Sequence, residues 1–213
     1  MTAFLLGTGY SVRATRHSMR IFIALDIDAA IRERIARFVE GVREFAPDAR
    51  WVKPESLHVT LKFVGEKPAN AVEEIKGVLS RISKDPIELQ FCGYGFFPTA
   101  KAARVFWIGI ESGPGLAGLA KAIDDATKSL GIPPEDHAFS PHLTLARAAG
   151  GSGAPRWRKG DRTHRDFHHL QEKLAALPSP EFGTMTAREF FLYESQLRRD
   201  GAQYTKIAQF GLG

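Results

Sequence analysis

Two short stretches of the chain share one pattern of apolar and polar positions. In Ser56-Leu57-His58-Val59-Thr60-Leu61 and in Ser140-Pro141-His142-Leu143-Thr144-Leu145, a histidine and a threonine alternate with apolar residues. Such alternation predicts a strand, whose side chains project to opposite faces in turn. His58 and Thr60 then share one face, while Leu57, Val59 and Leu61 take the other. His142 and Thr144 stand in the same relation to Leu143 and Leu145. The stretches lie 84 residues apart, and the same offset relates Arg20-Ile21-Phe22 to Arg104-Val105-Phe106. Between these anchors each copy carries a helical pattern, over 28–46 and over 115–130. The chain reads as a diverged tandem repeat of strand, helix and His-x-Thr strand. A pseudo-twofold pair of such units brings both histidines to one central groove.

The remaining pattern fills in around this repeat. Residues 20–25 are almost continuously apolar and predict a buried central strand. Asp26 or Asp28 can cap the next helix, whose inward stripe is Ile31, Ile35, Phe38, Val39, Val42 and Phe45. Gly65 is expected to end the first His-x-Thr strand and Pro68 to start a second helix, with Val72, Ile75, Val78, Leu79 and Ile82 turned inward. Strands are predicted over 87–97 and 104–111, joined by a turn or short loop over 98–103. A third helix buries Leu116, Leu119, Ile123 and Leu130 and stops at Gly131. A short helix over 166–177 precedes a hairpin of 190–195 with 203–210, turning over 198–201. Phe63 shares the apolar face of Leu61 under strict alternation and is assigned to the core. Trp51 and Tyr94 are not assigned to the site.

Composition narrows the setting. At 213 residues and 44% hydrophobic content, the chain can bury a full core. Its net charge of +5 favours polyanionic partners without naming one. Cys92 is the only cysteine, which excludes an internal disulfide and a four-cysteine metal site and fits a reducing cytoplasm. No apolar run reaches the length of a membrane span. Residues 1–18 carry neither a signal-peptide pattern nor a periodic one, so a disordered N-terminal extension is expected there, with one bilobal domain over 19–213. A Gly-rich loop with a basic run covers 150–165; a solvated loop is its default role and phosphate attraction the alternative. His164 and His168 have the spacing of a helix-borne metal pair, but no third ligand is evident, so no metal is expected.

Two facing imidazoles suit phosphodiester cleavage by concerted acid–base catalysis. Histidine's ordinary pKa lets one ring start neutral and the other protonated near neutral pH. Thr60 and Thr144 are placed to hydrogen-bond nonbridging phosphate oxygens as charge builds.

At these residues the chain resembles the 2H phosphoesterases, and among them the RNA 2′,3′-cyclic phosphodiesterases of bacteria and archaea, also called 2′-5′ RNA ligases. The likeness includes Arg20 to Leu25, Trp51 through Gly65, Ser140 through Arg147, and the ending from Leu192-Tyr193-Glu194-Ser195 through Gly201, Tyr204 and Phe210. It implies an α+β bilobal pseudo-twofold fold, with two antiparallel sheets lining a central groove and helices outside. It implies metal-independent hydrolysis of RNA 2′,3′-cyclic phosphate ends to 2′-phosphomonoesters, with no cofactor. By position His58 matches the family's proton donor and His142 its proton acceptor, while Arg147 matches a phosphate-binding arginine. Strict alternation turns Arg147 away from His142, so that role requires a bend or bulge at the strand's end. The expected partner is RNA with 2′,3′-cyclic phosphate ends, tRNA fragments among them, or cyclic nucleotides, taken by a cytoplasmic monomer. Two other readings remain: 2′-5′ joining or cleavage in the same groove, and an RNA-binding module without turnover.

Deleting residues 1–18 is expected to leave turnover unchanged. The thermal midpoint should move by less than about 2 °C, the scale of a sub-kilocalorie change in a chain of this size. A melting curve of the truncated protein checks this.

Overall fold

The computed structural model describes residues 18–149, 167–198 and 201–213. In chain order the elements are β1 (Ser18–Leu25), α1 (Ala29–Val42), β2 (Arg50–Trp51), β3 (Val59–Pro68), α2 (Ala69–Leu79), β4 (Ile87–Phe97), β5 (Val105–Ser112), α3 (Pro114–Lys128), β6 (His142–Arg147), α4 (His168–Ala175), β7 (Glu181–Ala187), β8 (Glu189–Arg198) and β9 (Gly201–Gly211). They form two antiparallel sheets, ordered β3-β1-β8-β9 and β2-β6-β5-β4-β7. The α+β class and the two antiparallel sheets that the resemblance implies are present.

The repeat is visible in the pairing. β1 pairs with β3 in the first sheet as β5 pairs with β6 in the second. The helices cross over: α1, from the first half, packs on β7, and α3, from the second, packs on β3 and α2. Each half therefore covers the other's sheet, and one continuous core runs through both, from Ile23 and Leu61 to Phe106 and Leu143.

Several local expectations are corrected. Asp28 occupies the N-cap position of α1 but makes no side-chain cap bond, and Asp26 accepts from the adjacent Ile27 amide and from the Arg32 and Lys206 side chains. Ser56 lies in a 3-10 turn and His58 just ahead of β3, so the strand starts later than the alternation predicts. Gly65 does not end β3; it sits opposite Ile21 with φ of 85°, a conformation open to glycine, and the strand runs on to Pro68. β7 was not expected. Its buried Phe182, Met185 and Ala187 lose their alternation at Gly183, where φ is 104° and the register against β4 shifts between Phe91 and Cys92. The expected extension over 1–18 lies outside the described residues except for Ser18, which opens β1 opposite Pro68. The basic run and His164 lie outside them too, as does the hairpin's turn at 199–200.

Both His-x-Thr strands contain a one-residue bulge at the same place. On β3, Thr60 pairs with Ala24 and Lys62 with Ile23, which leaves Leu61 as the extra residue. On β6, Thr144 pairs with Trp107 and Ala146 with Phe106, which leaves Leu145 extra. A bulge of this kind reverses the facing of the residues that follow it, on β3 as far as a second register shift that leaves Val64 extra between Phe63 and Gly65. Lys62 is thereby turned inward beside Ile23, where it is 2% exposed. It pairs there with Asp124 of α3 and donates to the Pro133 carbonyl at 3.0 Å.

Removing one member of a buried pair strands the other's charge. Asp124→Ala, which strands the buried Lys62, is expected to cost about 3–5 kcal/mol, and Lys62→Met less, because Asp124 keeps 23% exposure to water. Urea unfolding of the two variants measures the difference.

Candidate active site

The site is built where β3 and β6 approach each other. Each histidine is fixed by the backbone just before it. His58 Nδ1 lies 2.7 Å from the Ser56 carbonyl oxygen, and His142 Nδ1 lies 2.8 Å from that of Ser140. A carbonyl only accepts, so both Nδ1 atoms carry hydrogen and donate. Nε2 of each ring is then the nitrogen left for proton transfer. Sequences of the form Ser-x-His place this anchor two residues upstream in both halves.

The facing predicted for the motif residues holds. Thr60 and Thr144 lie on the histidine side of their strands, partly exposed. Among the described residues neither hydroxyl has a hydrogen-bond partner. The bulge at Leu145 supplies what Arg147 requires: Val105, its partner, shares a face with Trp107 and Gly109, the partners of Thr144 and His142. Arg147 therefore stands on the histidine side. No carboxylate among the described residues pairs with it, and its charge reaches both imidazoles.

The bulge at Leu61 corrects the assignment of Phe63. Paired with Phe22, this ring lies on the face of Thr60 and is 55% exposed, with its centroid 6.1 Å from that of Phe22. It occupies in the first half the position that Arg147 occupies in the second. Trp51 and Tyr94 pack instead against the core, Trp51 donating its indole N–H to the Ala46 carbonyl at 3.1 Å.

Aromatic rings wall in both histidines. Phe22, Ala24, Phe191 and Tyr193 form a second small apolar cluster with Tyr204 on the groove side of the first sheet. His58 lies against it, 4.7 Å from Phe22 and 5.0 Å from Tyr204 between centroids. Phe97 stands edge-on to His142 at 4.9 Å, with Trp107 at 6.2 Å. Trp107 is seated by Gly95, where a Cβ would come within 2.1 Å of the indole. Sequence reasoning missed Phe22, Tyr193, Tyr204, Phe97 and Trp107 as neighbours of the histidines; only the pairing of strands reveals them.

Burial in this setting disfavours charge on the rings. It pushes His58 down to about 4, against the Ser56 carbonyl and Asp26, which favour the charged form, and with Arg147 and His142, which oppose it. His142 is also lowered, by burial and then Arg147, against the Ser140 carbonyl. Burial likewise lowers Arg147, and it raises Tyr204. With no ligand bound, His58 is therefore neutral near pH 7.

On α4, His168, His169 and Glu172 come within 4.8 Å of one another, all exposed. Glu172, a third group beside His168, was not read from the sequence.

A pair of folded-over repeats with one histidine each on a shared groove defines a two-histidine phosphoesterase, and the comparisons agree. The family model of LigT-like phosphoesterases matches the chain twice, over 25–107 and 108–204, each match holding one His-x-Thr motif. The chain belongs to this family. An RNA 2′,3′-cyclic phosphodiesterase of Methanothermobacter thermautotrophicus is 31% identical over 196 residues, 91% of this chain and 99% of that protein. One of the same name from Aquifex aeolicus is 32% identical over 200 residues, 92% of this chain and 98% of that one. The crystal structure of E. coli LigT complexed with 3′-AMP superposes with a TM-score of 0.72 at 27% identity, covering 92% and 98% of the two chains.

Because His58 is pushed down from 6.5 to about 4, the unfolded chain binds a proton across that interval that the folded chain refuses. The stability due to neutral His58 is complete above about pH 6.5 and is lost as pH falls toward 4. Replacing His58 with glutamine should flatten this part of the stability–pH curve, as measured by urea unfolding on either side of the window.

Proposed function

We propose that the protein hydrolyses 2′,3′-cyclic phosphate ends of RNA to 2′-phosphomonoesters, with His58 as the acid and His142 as the base. The observation that carries this is the matched pair of imidazoles, each locked by its own carbonyl so that Nε2 is left for exchange, with an Arg147 charge that reaches both and that no described carboxylate pairs. A half-buried guanidinium without a carboxylate calls for an anionic ligand. The relatives named RNA 2′,3′-cyclic phosphodiesterase, and a structural neighbour that holds 3′-AMP, support a nucleotide phosphate as that anion.

The step balances within these groups. Water attacks phosphorus and gives a proton to His142 Nε2. The bond from phosphorus to the 3′ oxygen breaks, and His58 Nε2–H protonates that oxygen as it leaves. Thr60 and Thr144 donate to the nonbridging oxygens, and Arg147 offsets their charge. Solvent then returns His58 to its protonated form and His142 to its neutral one. His58 receives its proton together with the substrate, because the incoming phosphate supplies the negative charge that burial demands. Phe63 offers an exposed flat ring on which a base can stack.

The remaining features fit a monomer at work in the cytoplasm. Both histidines and Arg147 come from one chain, Cys92 is its sole cysteine, and no described helix is long and apolar enough to cross a membrane.

An oligomer ending in a 2′,3′-cyclic phosphate, incubated with the protein and EDTA, should yield the 2′-phosphate; a 3′-phosphate, or a need for a divalent ion, would sink the scheme. Alanine at His58 or at His142 should each lower turnover by roughly 10²–10⁴. The double variant should fall far short of the product of the two losses, because the pair acts in one step. Thr60→Ala and Thr144→Ala should cost less, and single-turnover assays rank all five.

A further inference from the structure

An acid that burial, Arg147 and His142 all press to be neutral needs an opposing charge of its own. We infer that Asp26 is this fixed counter-charge, a positioning carboxylate that stabilises the imidazolium form of His58 through space. The inference rests on the reading of His58 as the acid.

The backbone places the two groups together. Leu25 pairs with Val59 at the end of the β1–β3 ladder, and Asp26 and His58 are the residues directly beyond that last pair. Both line one cleft of about 370 Å³ with Arg32, Tyr193, Tyr204 and Lys206. Three donors hold the carboxylate: the Ile27 amide at 2.9 Å, Arg32 at 2.6 Å and Lys206 at 2.5 Å. These donors outweigh burial and keep Asp26 ionised. Its holders are anchored in turn, Arg32 on the Ile27 carbonyl at 3.0 Å and Lys206 over the Phe191 ring at 3.9 Å. A carboxylate so restrained cannot turn away when His58 changes charge, which is what a preorganised counter-ion requires.

The groups around His58 leave this task to Asp26. From β6 come Arg147 and His142, which oppose the imidazolium. From β8 and β9 come the phenols Tyr193 and Tyr204, whose ionisation burial resists, and Lys206. From α1 comes Arg32, and from the turn before β3 the exposed Glu55, at the cleft's rim. Among the described residues, Asp26 is the acidic side chain whose field favours a charged His58, beside the dipole of the Ser56 carbonyl.

A counter-charge and a structural tie predict different results. In Asp26→Asn the carboxylate is lost while the fold's donors stay, so the His58 titration, followed by ring NMR, should move to lower pH. In Lys206→Met the carboxylate is less neutralised, so the same titration should move to higher pH. Each unit that the acid falls removes about tenfold of its protonated fraction, and turnover of a 2′,3′-cyclic oligomer above the acid's pKa should fall with it. KM should change little, and Asp26→Glu should restore most of the loss. Lowered melting temperature in both variants with the His58 titration unmoved would overturn the inference, and so would shifts of the same sign. If Asp26→Asn does not fold, the rise in Lys206→Met decides alone. The NMR arm needs no turnover, so a protein that failed to hydrolyse cyclic ends would refute the proposed function and leave this inference to its own result.

Discussion

The molecule depends on two one-residue irregularities in its β-ladders. Leu61 and Leu145, one extra residue on each motif strand, stand at equivalent places in the repeat, and Val64 is a further one on β3. Without the second, Arg147 points into the core, where an unpaired guanidinium is not tolerated. Without the first, Lys62 faces the groove and Phe63 is buried. The bulges thus let one continuous strand serve core and groove with residues that strict alternation would misplace. Their cost in ladder hydrogen bonds is offset on one side by the Lys62–Asp124 pair, which also fastens the first motif strand to the helix of the second half.

The groove joins opposed electrostatic demands. Aromatic walls keep water from His58 and press it to be neutral, while the reaction assigned to it requires a charge. Fixed carbonyls resolve the tautomer of each ring, since Ser56 and Ser140 leave only Nε2 for exchange. The charge balance is left to the arriving anion and to the one restrained carboxylate of Asp26. Burial that would be a fault in a structural histidine makes this one sensitive to the arrival of an anion.

Much of this was legible in the chain. The 84-residue echo gave the two halves, and period-2 alternation put each histidine beside its threonine on one face, because short local patterns fix facing as long as the register is unbroken. It failed beyond each bulge, since one extra residue has no compositional mark: Phe63 looks like the next apolar position after Leu61. β7 escaped for the same reason at Gly183. Asp26 looked like a helix cap because its nearest free amides are local, whereas Lys206, its partner, lies on a strand 180 residues away. Long-range pairs of this sort are set by sheet order, and sheet order is not written in any single segment.

Phe63 and Arg147 hold the same station in the two halves, one a flat uncharged ring and the other a cation. A groove with two identical halves would accept a ligand and its half-turn rotamer equally, and half of all encounters would place the wrong oxygen against the wrong imidazole. Unlike neighbours abolish that degeneracy. Under the proposed function the anionic end goes to Arg147 and the planar end to Phe63, so a nearly symmetric cradle distinguishes the two directions of its ligand.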